Sequence, residues 1–440
     1  MKIERYQAYK DSGLEWLGDV PEHWKVMMLK NVYKCFGSGS TPESSETKYY
    51  DNGTINWLNT TDLKNNVVNE TSNKITLLAL AEKPLKIYPI NTLAIAMYGQ
   101  GDTRGSVGLL SIETTTNQAA CMMYRSSNSM PKYMFWWFIA KKANIRKINI
   151  GATQPNMNKD FVRNLFISLP PLPEQKTIAH YLDTKTAQCD RKIDLLTQKA
   201  TLYGKLKQSL INETVTRGLD KSVPMCDRGI EWIGEVPEHW ELSRIKQKGT
   251  VRGRVGWKAL KADEYVDEEY IFLSTPNIKE KDIDFENVNY ITYERYVESP
   301  EIMLQEGDIL LTKDGSTLGT TNIVSSLPRE ATVNSSIAVV RFSKEVFKKY
   351  IYYQILSEFI QNKISIKKSG MGVPHLFQRD INNFFILLPP LSEQKAIADY
   401  LDTKTAQIDQ IIQTINTQID KLKELRKTLI NDVVTGKIKV

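Results

Sequence analysis

Cysteine is scarce in this chain, and the four present (Cys35, Cys121, Cys189, Cys226) lie far apart with no C-x-x-C pair. That argues against a disulfide framework and against a structural zinc site, and the thiols read as reduced structural residues. Long hydrophobic runs are also missing. The longest, Tyr133 to Ala140, is far too short to span a bilayer, and Met1-Lys2-Ile3-Glu4-Arg5 has no apolar signal-peptide core, so a cytoplasmic location with no membrane partner is expected. Nucleotide and metal signatures are absent too: no G-x-x-x-x-G-K-[ST], no G-x-G-x-x-G and no H-E-x-x-H. The only double prolines sit in two Leu-Pro-Pro-Leu segments, so no base-flipping methyltransferase motif of the [DNS]-P-P-[YF] type exists. A net charge of +7 over 440 residues is compatible with a polyanionic partner without requiring one. Two or three domains with proper cores fit this length and a hydrophobic fraction of 41%.

What is present is a duplication. Gly13-Leu14-Glu15-Trp16-Leu17-Gly18-Asp19-Val20-Pro21-Glu22-His23-Trp24 returns as Gly229-Ile230-Glu231-Trp232-Ile233-Gly234-Glu235-Val236-Pro237-Glu238-His239-Trp240, with only Leu/Ile and Asp/Glu exchanges. A second block, Leu169 to Asp190, returns as Leu388 to Asp409 and differs only at Pro173/Ser392, Thr177/Ala396, His180/Asp399 and Cys189/Ile408. Between the blocks, roughly residues 26 to 165 and 242 to 385, the halves match in length but have largely lost their likeness. The period is far beyond that of a solenoid and points to tandem duplication of a whole domain with a linker element. A frame kept alike twice answers one constraint twice, whereas the inserts answer two different ones.

Each second block places a helix start behind paired prolines, with Glu174 or Glu393 in the first turn near the positive end of the dipole. In the second copy Ile408, Ile412, Ile415, Ile419, Leu422, Leu429 and Val433 follow alternating steps of four and three, with Arg426 in the missing place. The same register in the first copy runs Cys189, Ile193, Leu196, Ala200, Tyr203, Lys207, Leu210 and Thr214, a poorer seam. Two helices of such length, the first from Glu174 to about Val215, are expected to pack on each other as an antiparallel pair. The recurrent Trp16, Trp24, Trp232 and Trp240 read as anchors for the edge of each globular unit. His23 and His239 recur without a recurrent Ser, Cys or paired acid at plausible spacing, so structural roles are expected. Glu174-Gln175-Lys176 and Glu393-Gln394-Lys395 read as helix caps rather than nuclease motifs.

The inserts share a skeleton of short strands, an aromatic-rich helix (Tyr133 to Lys147; Tyr350 to Lys363) and a glycine-proline loop (Gly151 to Pro155; Gly370 to Pro374), which makes each an α/β or α+β unit. Different polar loops on one skeleton are natural reading surfaces. The candidates are Ser38, Ser40, Thr41, Gln100, Thr103, Arg104, Gln154 and Asn156 in the first unit, and Arg252, Arg254, Lys313, Ser316, Thr317 and His375 in the second. Arg, Lys, Asn and Gln hydrogen-bond base edges, and glycine lets a loop enter a groove closely. The expected domains are 1–168, a first recognition domain; 169–218, a central long helix; 219–387, a second recognition domain; and 388–440, a C-terminal long helix.

With Trp-(Leu/Ile)-Gly-x-Val-Pro-Glu-His-Trp ahead of each variable unit and Leu-Pro-Pro-Leu-x-Glu-Gln-Lys-x-Ile-Ala-x-Tyr-Leu-Asp-Thr-Lys-Thr-Ala-Gln behind it, the whole chain resembles the specificity subunit of type I restriction-modification systems. The resemblance implies two target recognition domains, each reading half of an asymmetric bipartite sequence in double-stranded DNA, and an antiparallel coiled-coil spacer between half-sites. It also implies no catalysis and no bound cofactor in this chain. Two modification subunits would supply adenine methylation from S-adenosylmethionine, and motor-nuclease restriction subunits would use ATP and Mg. A coiled-coil scaffold whose inserts bind proteins is the alternative, and an autonomous DNA enzyme a third.

Overall fold

Paired prolines stop one element and start the next at both places. In a computed structural model, which describes residues 4–148, 157–230, 232–254, 260, 264–368 and 375–440, one long helix spans Leu172–Arg217 and a second Leu391–Val434. The first, at 46 residues, is about 69 Å long at 1.5 Å per residue. The chain forms two compact units, Met1–Leu196 with Thr417–Val440, and Thr197–Asn416, so the division falls inside each long helix.

Each unit therefore holds half of both helices, and in each the halves run antiparallel. In the first unit Ile178, Ala179 and Leu182 share a core with Ile430, Val433 and Val434, and further along Arg426 Nε meets Asp190 Oδ1 at 2.8 Å. In the second, Ile211 and Val215 share a core with Ile397, Ala398 and Leu401, and Lys207 Nζ meets Asp409 Oδ2 at 2.7 Å. Asp190 and Asp409 are equivalent positions of the repeat, as are Lys207 and Arg426. The two basic residues that interrupt the apolar seams are thus one repeated feature, each answering the repeated aspartate. The helices also pack on the globular parts, since the same clusters contain Trp24, Tyr133 and Trp137 in the first unit and Trp240, Tyr350 and Ile351 in the second.

The first unit is built on a five-stranded sheet of β1 (Cys35–Gly37), β2 (Asn66–Val68), β3 (Leu93–Ala96), β4 (Val107–Leu110) and β5 (Ala120–Tyr124), in the order β1-β5-β3-β4-β2. Only the β4–β2 pair is parallel. Strands β3, β4 and β5 are buried on both faces, which explains their unbroken apolar runs. Helix α1 (Pro131–Ile148) lies on one face and carries Tyr133, Trp136, Trp137 and Phe138 into the core.

In the second unit β6 (Gly249–Arg252), β7 (Ile309–Thr312), β8 (Thr321–Ile323) and β9 (Ile337–Phe342) form an antiparallel sheet in the order β6-β9-β7-β8. One aromatic-rich helix was expected here, but two occur, α2 (Lys348–Leu356) and α3 (Glu358–Lys368). Ser357 between them is extended (ψ 156°), its hydroxyl donates to Gln354 O at 2.5 Å, and the Glu358 amide donates to Asn212 Oδ1 at 2.8 Å. Side-chain oxygens thus satisfy the backbone where the helix is interrupted.

The two repeated blocks meet in each unit. Lys25–Met28 pairs antiparallel with Phe166–Leu169, and Glu241–Arg244 with Phe385–Leu388, so the ends of each insert lie side by side.

Candidate nucleic-acid interface

The recurrent histidines have an acid after all, brought from the other block. Glu174 takes His23 Nε2 on Oε2 at 2.9 Å and the Trp24 indole N–H on Oε1 at 3.0 Å. Glu393 repeats this with His239 at 2.9 Å and Trp240 at 3.1 Å. Both tryptophans are fully buried, so a carboxylate that satisfies the indole N–H removes the cost of burying it. The Tyr6 hydroxyl also donates to Glu174, and its ionisation is pushed far up by burial and then by that carboxylate. The neighbouring glutamines are equally committed. Gln175 accepts from Met130 N at 2.7 Å just before α1, and Gln394 accepts from Phe347 N at 2.9 Å just before α2. Their amides donate to Pro170 O and Pro389 O, both at 2.8 Å. The Glu-Gln pair is a structural clasp between the two blocks.

The divergent loops gather elsewhere. In the first unit Gly37 pairs with Met122, Ala96 with Ala120 and Ile95 with Val107, so β1 ends, β3 ends, and β4 and β5 begin at one end of the sheet. Ser38, Ser40 and Thr41 leave there behind β1, and Gln100, Thr103 and Arg104 occupy the β3–β4 loop. Thr41 donates to Gln118 Oε1 at 2.8 Å, and the Ser38 carbonyl accepts from the Tyr88 hydroxyl at 2.8 Å. Gln100 is exposed, and Thr103 and Arg104 are half-buried. The acid of this loop, Asp102, receives Lys142 Nζ at 2.7 Å and Arg146 NH1 at 2.7 Å from α1. Chiefly through the Lys142 hydrogen bond, its carboxyl is held below the ordinary carboxylate range. Gln154 and Asn156 lie outside the described residues, but Met157, directly after them, donates its amide to Met97 O beside the same loop at 3.3 Å.

The second unit repeats the topology. Arg252 pairs with Val339, Thr312 with Ile337 and Leu311 with Thr321, which sets Arg252 and the loop of Lys313, Ser316 and Thr317 at one end of the sheet. His375 joins them through a bridge to Asp314, with its Nδ1 on the Asp314 carboxylate, and the Leu376 amide donates to Lys313 O at 2.9 Å. Ser316 and Thr317 are exposed. Arg254 takes a different course: its side chain is 1% exposed and pairs with Glu298 Oε2 at 3.0 Å. Both hairpin loops close on a left-handed glycine against the neighbouring helix, Gly105 (φ +79°) beside Lys142 and Arg146, and Gly319 (φ +90°) beside Gln361 and Ile364.

Three residues that loop reasoning passed over also belong to this end: Phe377, Gln378 and Arg379. With Lys313 and His375 they line an open cavity of about 350 Å³. Their sequence signal is only position, since they directly follow the glycine-proline loop and His375. Among the described residues no cluster of three or more His, Cys, Asp or Glu is arranged to hold a metal ion, and no helix is long and apolar enough to cross a membrane.

Known proteins share this architecture. The type I restriction enzyme MjaVIII specificity subunit of Methanocaldococcus jannaschii is 23% identical over 99% of this chain and 98% of its own length. The EcoKI specificity subunit of Escherichia coli is 25% identical over 47% of this chain and 44% of its own. Among solved structures, a chain from a type I restriction-modification system superposes with a TM-score of 0.72 at 16% identity, covering 94% of this chain and 98% of that one. The crystal structure of the HsdS subunit from Thermoanaerobacter tengcongensis gives 0.55 at 16%, covering 95% and 98%. The family model for the type I restriction modification DNA specificity domain matches twice, over residues 21–200 and 237–421, each match running from a Pro-Glu-His-Trp turn or its edge into a long helix, and the chain belongs to that family.

Proposed function

We propose that this chain is the non-catalytic specificity subunit of a type I restriction-modification complex in the cytoplasm, and that each unit reads one half of an asymmetric bipartite DNA target. The observation that carries the reading is the division of labour within each unit. The repeated polar residues are spent on an internal clasp, while the divergent polar residues collect at one end of the sheet. Loops of one topology with different side chains suit two different half-sites read from grooves of equal shape. The repeated frame, the same in both units, suits two copies of one modification subunit, which would supply S-adenosylmethionine and adenine methylation. Motor-nuclease subunits would bring ATP and Mg. The long helices would set the gap between half-sites.

The test is to express the chain with its cognate modification subunit and read adenine methylation across a host genome by single-molecule sequencing. One asymmetric motif with a fixed gap, absent without the chain, is the expected result. A stable complex without new methylation favours the protein-binding scaffold, which also lacks the steep fall of DNA affinity with salt that phosphate contacts impose.

A further inference from the structure

The cations at the two sheet ends are treated differently. In the first unit Lys142 and Arg146 are both engaged by Asp102. In the second, Arg252, Lys313 and Arg379 make no ion pair or hydrogen bond through their side chains among the described residues, although Asp314 stands in the same loop, because Asp314 is taken by His375. The His375 ring meets Phe377 edge-on at 4.4 Å between centroids, and the Arg379 guanidinium lies over the same Phe377 ring at 4.9 Å. Phe377 is itself exposed, at 48%. Arg379 therefore presents a planar fork that is already oriented, with its charge unspent, at the mouth of the cavity that Lys313 and Gln378 share.

Resting on the DNA-recognition reading above, we propose that Arg379 is a specificity-determining residue that reads a guanine in the half-site of the second unit, donating to O6 and N7 in the major groove. Guanine is the base whose major-groove edge offers two adjacent acceptors, which matches a bidentate guanidinium and no carboxylate. Phe377 fixes the plane of the fork. His375 meets the Phe377 ring edge-on and takes the Asp314 carboxylate. In the first unit Lys142 and Arg146 are engaged by Asp102, and the exposed Gln100 stands in the corresponding hairpin loop.

The experiment measures methylation rates of the complete complex on duplexes bearing the mapped target and every single base-pair substitution in it. The wild-type complex should lose rate when one G·C pair in one half is replaced. R379A should lower discrimination at that pair alone by about 10- to 100-fold and leave the other half of the target unchanged. R379K, which keeps the charge and the stem, should lose most of the same discrimination because it cannot donate as a planar fork. F377L should lower it less, at the same position. A uniform loss of rate on all duplexes with unchanged preferences would mark a phosphate contact and overturn the proposal, as would loss of all methylation in R379A and R379K alike. A half-site for this unit without any G·C pair overturns it outright while leaving the recognition reading intact. Absence of any target with the wild-type complex removes the parent reading and this proposal together.

Discussion

The two sheet ends share strand order and loop placement, yet their loop aspartates take different partners. In the first unit an aspartate in the hairpin loop reaches back to Lys142 and Arg146 on α1. In the second an aspartate in the same loop reaches across to His375, and Arg252, Lys313 and Arg379 make no ion pair among the described residues. The difference teaches that one skeleton can hold its loop carboxylate with different partners, which on the proposed reading would vary specificity without altering the fold. The clasp beneath, Glu174 with His23 and Trp24, Glu393 with His239 and Trp240, does not vary.

The largest test of this symmetry removes the clasp's anchor. W24A and W240A should each cost about 3–5 kcal/mol, as for other buried tryptophans cut to alanine. Calorimetry on the full chain should show each variant lowering a different part of the unfolding profile if the units melt separately. Identical displacement of one transition by both would make the units a single cooperative structure.

A second test sharpens the contrast, because it has no counterpart in the first unit. Arg341 binds the fully buried Asp308 through Nε at 2.7 Å and NH2 at 2.6 Å, where the equivalent first-unit positions are Tyr124 and Thr92. R341M should destabilise the second unit by about 3 kcal/mol in urea unfolding, since it strands a buried charge. R341M with D308N should recover part of that loss, and failure to recover would show that packing rather than charge holds the pair.

Charge reversal of the cross-helix pair is a smaller effect. D409K or D190K alone should cost about 1 kcal/mol, and K207D with D409K should restore the stability, because these are half-exposed pairs. Equal costs in the two units would confirm that the seam, unlike the sheet ends, obeys the repeat.

The smallest effect concerns pH. Because the folded carboxyl of Asp102 is depressed, chiefly by Lys142, its contribution is present above the ordinary aspartate range and lost as pH falls through the depressed value. Amide protection factors across Gln100 to Gly105, taken relative to intrinsic exchange at each pH, should therefore fall on acidification below about pH 4, and D102N should abolish that fall. Persistence of the pH response in D102N would assign it to another group.

Much of the architecture was legible because duplication marks its own boundaries. The long helices begin at Leu172 and Leu391, directly behind the double prolines, where local chemistry decides the element. The strands Leu93–Ala96 and Ala120–Tyr124 and the aromatic helix of the first unit follow apolar runs and needed no long-range information. What escaped reading was whatever depends on distant partners. The acid of His23 is 151 residues away, the two cations of Asp102 come from another element, and the break at Ser357 depends on Asn212 of a long helix. Lys207 and Arg426 looked like flaws in a seam because a heptad count registers apolarity and not the aspartate opposite. Arg252 and Arg254 are the same residue type two positions apart, yet only the fold separates the exposed one from the one buried against Glu298.

The two-stranded pairing of Lys25–Met28 with Phe166–Leu169, repeated by Glu241–Arg244 with Phe385–Leu388, brings the entry and exit of each insert to adjacent points. Anything whose two ends can continue those strands closes the same short distance, whatever its length between them, and the clasp, the helices and the other unit need no adjustment. On the proposed reading, recombination or deliberate grafting at these two strand pairs would exchange one reading surface as a complete cartridge, and a few inserts would yield the product of their combinations and not merely their sum.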